Sequence, residues 1–446
     1  MKLAFILPAI GKKKNRKYMK SWTMEPIMIA VLKRLTPDDI ETVFYDDRIE
    51  AIDYDTDADI IALSVETHTA KRAYTIAERF KAKGKRIVMG GYHVTTVPED
   101  ARSHADILVL GNAESVWEDM LRDVETGNYK NEYAGDVCCD YGQPDRSIYA
   151  DKRKKYLPLG LVEIGRGCHY NCEFCSVSSY YKRAYAHRSI AAIVQEIKEN
   201  PHKVYFFVDD SIFSDKEFAK ALFIEVTKLH IHWVTQITLD IARDEELLSL
   251  MAASGCKVIL IGFESIDPQN LKQMNKEWSI KVGERDALVE RIHNAGISIY
   301  ASFVFGFDYD NEESFKNCLE FSRRHQFFVA AYNHLLPFPG TATHERLCRE
   351  GRMIYENWWL SREYTYGSIP YHSKLVTAEE LGLLCKKYKK AFFCFSSIFT
   401  RYKTLKKRTN VTYVRFAYWV TNLMLHWEVN KRFGIPLGEN LDEKKR

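Results

Sequence analysis

The sequence predicts an α/β protein with three parts: an N-terminal flavodoxin-like, doubly wound parallel sheet, a central partial (β/α)6 barrel of the TIM type, and a C-terminal helical region. Three observations predict this arrangement. Short apolar runs alternate with amphipathic stretches over residues 1–135, the alternation resumes over 159–345, and helical patterns dominate 346–446. Buried parallel strands have continuous apolar sequences because helices cover both faces of their sheet. A length of 446 residues suits about three domains.

In the N-terminal part, strands are predicted at five apolar runs, residues 3–7, 42–45, 60–64, 86–91 and 106–111, and helices at 25–35 and 69–83. Ligands of such sheets lie at the carboxyl ends of the strands. Here those ends carry the segments 8–20, 64–68, 90–94 and 111–114. A polar, irregular stretch over residues 136–158 predicts a linker to the second part.

The second part contains six further strand-like runs, at residues 161–164, 204–208, 234–239, 258–261, 299–305 and 328–335. Amphipathic helices are predicted between them, at 190–199, 215–229, 244–254, 282–294 and 311–325. Six β-α units predict a partial barrel whose active site lies at the carboxyl ends of the strands.

Charge and cysteine content exclude several classes of protein. A net charge of only +4 argues against a dedicated nucleic-acid binder. The charge is uneven, because residues 351–446 carry 18 Lys and Arg against 8 Asp and Glu. No apolar stretch reaches the 18 residues or so of a membrane span. Ten cysteines in a long chain, with no recognisable secretion signal, predict a reducing cytoplasm and no disulfide scaffold.

A tight group of cysteines follows the first predicted barrel strand: Cys168, Cys172 and Cys175, spaced as C-x3-C-x2-C. Three thiolates on one loop can bind an iron–sulfur cluster, because sulfur ligands are soft, and a cluster of four irons then keeps one iron open. The alternatives are buried free thiols or zinc, which normally takes four protein ligands. His169 is too close to Cys168 to be an easy fourth ligand, so the spacing favours the cluster.

This C-x3-C-x-Φ-C loop resembles the hallmark of the radical SAM superfamily. The segments 90–93 (Gly-Gly-Tyr-His) and 111–114 (Gly-Asn-Ala-Glu) are similar to its subgroup with a B12-binding domain, which includes the anaerobic magnesium-protoporphyrin ester cyclase and cobalamin-dependent radical SAM methyltransferases. The resemblance covers about residues 1–345. It implies a [4Fe-4S] cluster whose open iron binds S-adenosylmethionine (SAM). Reductive cleavage of SAM would then give a 5′-deoxyadenosyl radical that abstracts hydrogen from an unactivated carbon.

The resemblance also implies roles for residues near the strand ends. Phe174 would shield the cluster from water, Asp209 and Asp210 would receive the SAM ammonium group, and Glu264 would hold the ribose hydroxyls. For each carboxylate the alternative is an exposed side chain or a helix N-cap. Lys276 is either a carboxylate partner or a solvated lysine. Three residues at the end of the third strand are candidates to face substrate: Gln236, Thr238 and Asp240.

Cobalamin is the second cofactor that the subgroup implies. Ser64, Thr67, Gly90 and Gly91 are expected near the corrin and its nucleotide tail, since glycine lets backbone approach a bulky ligand closely. The loop 8–20 lacks the histidine of the D-x-H-x-x-G motif that many B12 proteins have. Its absence is compatible with cobalamin binding but removes one sequence signal for it. Two alternatives stay open: the glycines serve turn geometry alone, or the domain is an empty scaffold.

The basic C-terminal part has aromatic stretches with helical spacing. Six of its residues would share one apolar face of a helix: Tyr413, Phe416, Val420, Leu423, Met424 and Trp427. One interpretation is a helical cap on the barrel with solvated charges. The other is peripheral contact with the inner face of a membrane, because basic clusters beside aromatic helices suit anionic bilayers and lipid-like substrates. No nucleic-acid-binding motif accompanies the charge.

The sequence therefore predicts a radical SAM enzyme that acts on a small molecule and takes electrons from a reductant such as flavodoxin or ferredoxin. The first hypothesis is cobalamin-dependent methylation of an unactivated carbon in a hydrophobic metabolite. The second is a radical SAM oxidoreductase or cyclase in which cobalamin is optional. The third is a non-catalytic, cluster-containing sensor at a membrane surface. A methyltransferase yields S-adenosylhomocysteine with 5′-deoxyadenosine, an oxidoreductase only the latter, and a sensor neither.

Overall fold

A computed structural model describes residues 1–16, 23–137, 141–279, 285–428, 431 and 433–442. Its N-terminal part contains the strands β1 (Lys2–Leu7), β2 (Glu41–Asp46), β3 (Ile60–Ser64), β4 (Arg86–Gly90), β5 (Ile107–Gly111) and β6 (Glu132–Gly135), and the helices α1 (Ile27–Leu35), α2 (Ala70–Lys81), α3 (Tyr92–Thr96), α4 (Pro98–Arg102) and α5 (Trp117–Thr126). The strands form one parallel sheet in the order β2-β1-β3-β4-β5-β6. Apolar side chains cover both faces, against α1 and α5 on one side and α2 on the other. The predicted doubly wound sheet is confirmed.

Strand β6 is an edge strand that was not predicted from the sequence, because it contains no apolar run. Of its four residues only Tyr133 is buried, and β6 pairs through its backbone with β5, placing Gly135 opposite Gly111. An edge strand can have a polar sequence because one side of it faces solvent, so hydrophobic pattern alone cannot reveal it.

The central part contains β7 (Gly160–Glu163), β8 (Gly165–Gly167), β9 (Tyr185–His187), β10 (Tyr205–Val208), β11 (Trp233–Ile237), β12 (Cys256–Glu264), β13 (Ser298–Phe305) and β14 (Val329–His334), with α6 (Ser176–Tyr181), α7 (Ile190–Glu199), α8 (Lys216–Thr227), α9 (Glu245–Ala253), α10 (Pro268–Gln273), α11 (Arg285–Asn294) and α12 (Glu312–Arg324). Six strands form a parallel sheet in the order β14-β13-β12-β11-β10-β7. Within the described residues β7 and β14 are its unpaired edges, so the barrel is partial, as predicted. The first residues of the predicted helix 282–294 lie outside the described part.

The C-terminal part comprises α13 (Ala342–Arg349), β15 (Thr365–Tyr366), α14 (Ala378–Phe392), α15 (Phe395–Arg408), α16 (Thr412–Glu428) and β16 (Ile435–Pro436). Residues 350–377 form turns and β15, although the sequence suggests continuous helix after the barrel. Two tryptophans of this stretch, Trp358 and Trp359, are buried against the α2 side of the N-terminal sheet. The two buried tryptophan side chains hold this stretch against the sheet, so its apolar residues do not have to recur at helical spacing. None of the described helices is long and apolar enough to cross a membrane.

The apolar face predicted for the last long helix is not the face that packs on the protein. The side of α16 that packs on the protein carries Val414, Tyr418 and Asn422, whereas Phe416 and Trp427 are exposed. The buried amide of Asn422 donates to the Phe328 carbonyl oxygen at 3.1 Å and accepts from Arg401 at 2.9 Å. An amide whose hydrogen bonds are all made can occupy a buried position. The packed face of a helix therefore need not be the face with the most apolar residues.

Candidate active site

The three cysteines lie on the loop between β8 and α6. Strand β8 pairs with β9 in antiparallel fashion, which closes this loop as an insertion above the first barrel strand. All three thiols are half-buried. Burial raises the pKa of Cys172 to about 12, the ammonium group of Lys276 opposes the rise, and the charges of Cys175 and Cys168 add to it. Three thiols that affect one another's ionisation lie close together.

The donor set fits an iron–sulfur cluster better than a single ion. Among the described residues, no three His, Cys, Asp or Glu side chains are placed to share one metal ion. A cluster has several irons, so its cysteines need not converge on one point. Cys172 and Cys175 line a cavity with an empty volume of about 720 Å³, bounded by the start of α13. The sulfur ligands, the nearby ammonium group and this open side all suit a cluster with one accessible iron.

Phe174 packs toward the barrel core. Its ring lies edge-to-face with Phe307 at a centroid distance of 5.8 Å, and the side chain is half-buried. The aromatic ring therefore anchors the last turn of the cysteine loop on the barrel, beside Cys175.

Glu264 ends β12 in a strained conformation. Its φ is +60°, the register with β13 shifts between Gly262 and Glu264, and the side chain is buried. A non-glycine residue in this region costs of order 1–3 kcal/mol, and such strain concentrates at functional sites. Lys276 is the carboxylate partner of Glu264, with Nζ 3.1 Å from Oε1, and it also donates to the Gly262 carbonyl at 2.7 Å. The pair lies next to Cys172.

The two aspartates after β10 both contact the base of the cysteine loop. Asp209 is buried, accepts from the Tyr185 hydroxyl at 2.9 Å and the Ser211 amide at 2.6 Å, and has a pKa raised by burial to about 8. Asp210 accepts from the Gly167 amide at 2.8 Å, and burial raises its pKa. Asp209 therefore positions the loop, whereas Asp210 also reaches a cavity wall.

The polar residues at the carboxyl end of β11 contact the cysteine loop or the turn after β10. Gln236 donates from Nε2 to the Asp209 carbonyl at 2.7 Å, and Tyr170 donates from its hydroxyl to Asp240 at 2.9 Å. The Tyr170 ring stacks on Trp278 at 3.9 Å. Thr238 lies between Gln236 and Asp240 in the sequence, and its side chain is half-buried. Of the predicted substrate candidates, Asp240 thus contacts the cysteine loop directly, and Gln236 holds the backbone at Asp209.

The carboxyl edge of the N-terminal sheet opens into a cavity that measures about 1260 Å³ together with the open solvent at its mouth. Ser64, Gly90 and Gly91 line it, but Thr67 does not, because the Thr67 side chain is fully buried below the turn after β3. Gly91 has φ +105° and ψ −178°, and a Cβ there would lie 2.8 Å from the Val65 carbonyl oxygen. Only glycine suits that backbone.

Both parts of the chain contribute to this cavity. Its apolar floor includes Met28, Leu32 and Trp117 from the first domain, and its far wall includes Tyr180 from α6 and Asp210. The cavity therefore joins the glycine edge of the N-terminal sheet to the helix that follows the cysteines.

Direct contacts fix the two walls of the cavity, and the sequence reasoning assigned no role to their residues. Arg166 pairs with Glu114 across the walls at 2.6 Å and with Glu163 at 2.8 Å. Tyr180 donates from its hydroxyl to the Gly111 carbonyl at 2.7 Å, and Glu66 also lines the wall. The one available signal was that Arg166 stands within the cysteine motif and Glu114 within the 111–114 segment.

The histidines after β3 and β4 do not line the cavity. His93 is buried near Asp100 at 3.6 Å and beside Trp359. His68 lies among the rings of Trp358 and Tyr366, and burial lowers its pKa to about 4. No histidine is among the described residues that line the cavity.

Two family models match the chain: the radical SAM superfamily over residues 162–322 and the B12 binding domain over residues 24–121. The bacteriochlorophyllide d C-12(1)-methyltransferase of Chlorobaculum tepidum is 29% identical, covering 76% of this chain and 77% of its own. The hopanoid C-2 methylase of Rhodopseudomonas palustris is 25% identical, covering 75% and 66%. A radical SAM methyltransferase from Kitasatospora setae, solved with cobalamin and a [4Fe-4S] cluster, has the same fold, with a TM-score of 0.64 at 16% identity over 78% of each chain.

Proposed function

We propose that this chain, a radical SAM enzyme with a B12-binding domain, methylates an unactivated carbon of a hydrophobic metabolite. The observation that carries the proposal is the shared cavity. Gly90 and Gly91 line one side of it, and Tyr180 and Asp210, next to the cysteine loop, line the other. A corrin on the glycine edge would therefore lie beside the cluster loop, as methyl transfer requires.

The residues present fit both cofactors. Cys168, Cys172 and Cys175 would hold the cluster, and the glycine edge would hold the corrin. When bound, SAM at the cluster supplies a hydrogen-abstracting radical and cobalamin supplies the methyl group. The protein fixes the base of the loop through Asp209, which accepts from the Tyr185 hydroxyl, and through Asp210, which accepts from the Gly167 amide. It also keeps the ammonium group of Lys276 beside the thiols, which favours their ionised form.

The lumen of the partial barrel supports a hydrophobic substrate. Buried and half-buried residues alternate along β10, β11 and β13, and the buried set packs outward, as in the stack of Phe207, Trp233 and Phe223. The opposite set keeps solvent exposure; its apolar members include Val234, Tyr300 and Val304, and its polar members include Gln236 and Ser302. An accessible lumen with apolar side chains suits a large apolar molecule. The relatives, a bacteriochlorophyllide methyltransferase and a hopanoid methylase, support the same class of substrate.

The proposal includes three further points. The chain divides into a B12-binding domain at 1–135, a linker at 136–158, a barrel at 159–345 and a C-terminal domain at 346–446. A one-electron reductant such as flavodoxin or ferredoxin reduces the cluster. The enzyme works in the cytoplasm and contacts the inner face of a membrane through its C-terminal helices.

Product analysis tests the proposal. The anaerobically reconstituted enzyme, loaded with hydroxocobalamin, receives methyl-labelled SAM, a chemical reductant and an organic extract of cells as the substrate source. We expect S-adenosylhomocysteine together with 5′-deoxyadenosine, and label in an apolar product. Cys172→Ala should produce neither nucleoside. The matched variant Cys256→Ala, which changes a buried cysteine of β12 outside the loop, should produce both. 5′-Deoxyadenosine alone from fully corrinoid-loaded enzyme would overturn methylation in favour of oxidation or cyclisation.

A further inference from the structure

Helices α15 and α16 expose a set of large apolar side chains on one surface, here called the aromatic patch: Phe395, Phe399, Phe416, Val420 and Trp427. Phe416 is 69% exposed and Trp427 is 65% exposed. Ring contacts join the two helices, since Phe395 lies 6.5 Å from Trp427 and Phe399 lies 5.1 Å from Trp419. Single exposed apolar residues are ordinary, but a contiguous set marks an interaction site.

The charge beside the aromatic patch is almost entirely positive. Apart from the buried Arg401, the two helices carry five basic residues against Glu428 alone: Lys403, Lys406, Lys407, Arg408 and Arg415. Lys403, Lys406 and Lys407 are exposed and continue the row that Phe395 and Phe399 begin on α15. A surface with aromatic side chains at one end and lysines at the other complements an anionic bilayer, whose interface accepts both.

The opposite sides of both helices are already packed on the protein. Arg401 is buried and donates to the carbonyls of Phe327 and Phe328 at the start of β14. The Tyr413 ring lies 4.8 Å from His232, just before β11. Both contacts are at the amino ends of the barrel strands. The aromatic patch therefore faces outward from the end of the barrel opposite the cysteine loop.

We propose that the aromatic patch and its adjoining lysines bind the surface of an anionic lipid bilayer, with the rings in the interfacial region and the lysines at the headgroups. This gives the C-terminal contact of the proposed function a defined surface and lipid chemistry, but binding itself does not depend on methylation. A lipid-like substrate would then be available where the enzyme resides.

Vesicle sedimentation of the cofactor-loaded full chain tests this inference. Vesicles of phosphatidylcholine alone are compared with vesicles that also contain phosphatidylglycerol, at low and high salt. We expect the wild type to bind the anionic vesicles and to lose binding as salt rises, because lipid headgroup attraction is screened. Lys406→Gln with Lys407→Gln should weaken binding roughly 25-fold, at about fivefold per lysine. The matched control, Lys154→Gln with Lys198→Gln, changes two exposed lysines elsewhere and should bind as the wild type does.

A second pair of variants tests the apolar contribution. Phe416→Ser with Trp427→Ser should reduce binding at least tenfold, whereas Ile224→Ser, at a 49% exposed residue of α8, should leave it unchanged. Iron and corrinoid contents of all variants show whether they fold. Equal binding to both vesicle types, or no wild-type binding, would overturn the inference. So would a wild-type dimer that Phe416→Ser with Trp427→Ser converts to a monomer, since the patch would then join two copies. Vesicle binding gives the same answer whether or not the enzyme methylates.

Discussion

Replacing Gly91 by alanine should displace the backbone at the glycine edge of the cavity, because the added Cβ would meet the backbone of Val65. At φ +105° and ψ −178° the backbone is in a region that essentially only glycine occupies, and forcing alanine into it costs about 1–3 kcal/mol. The added Cβ would also lie 2.8 Å from the Val65 carbonyl oxygen and 2.9 Å from its nitrogen, which adds about 1–3 kcal/mol of overpacking. We therefore expect Gly91→Ala to lose about 2–6 kcal/mol of stability in the N-terminal domain.

Gly84→Ala is the matched control. Gly84 also has a positive φ, +74°, but a Cβ there meets nothing within 4 Å, so only the cost of a left-handed alanine, about 1–2 kcal/mol, applies. Urea denaturation measures stability, and iron and corrinoid are quantified per chain. Gly91→Ala should keep its iron and lose its corrinoid, whereas Gly84→Ala should keep both. Equal stability and equal corrinoid in the two variants would refute the reasoning.

Three further predictions concern ionisable groups near the cysteine loop. Lys276→Met leaves the buried Glu264 carboxylate unpaired and should cost about 3–5 kcal/mol in urea denaturation; a stability equal to that of the wild type would count against the pair. Burial raises the pKa of Asp209 from 3.8 to about 8, so stability should fall as pH rises between those values, and Asp209→Asn should flatten this dependence, measured by denaturation across the range. Glu114→Gln removes the ion pair between Arg166 and Glu114 across the cavity and should speed corrinoid release in gel filtration, whereas Glu118→Gln on the exposed side of α5 should not. Equal release from the two variants would contradict a role of this ion pair in retaining the corrinoid.

Features encoded locally were predictable from the sequence. Apolar runs separated by helical patterns predicted both sheets, and in the N-terminal sheet these runs are nearly continuous because helices cover both of its faces. The spacing of Cys168, Cys172 and Cys175 is equally local, since one loop carries all three. In contrast, β6 and the packed face of α16 depend on partners that are distant in sequence, so neither periodicity nor composition predicts them.

The connections among the site residues also depend on distant partners. Asp209 and Asp210 could be assigned to strand ends, but their hydrogen bonds to Tyr185 and Gly167 depend on how the loop folds back. Nothing in the sequence pairs Arg166 with Glu114, which lies 52 positions earlier. Glu264 has an ordinary sequence environment, and only its backbone angle reveals strain.

The most direct test of the central claim is the cofactor content of the chain. The protein is purified anaerobically from cobalamin-replete cells, and iron and corrinoid are quantified per chain. We predict close to one corrinoid together with an iron content that matches one four-iron cluster. A full cluster without corrinoid would contradict the account, because the cavity at Gly90 and Gly91 would then belong to a scaffold and the methyl donor would be missing.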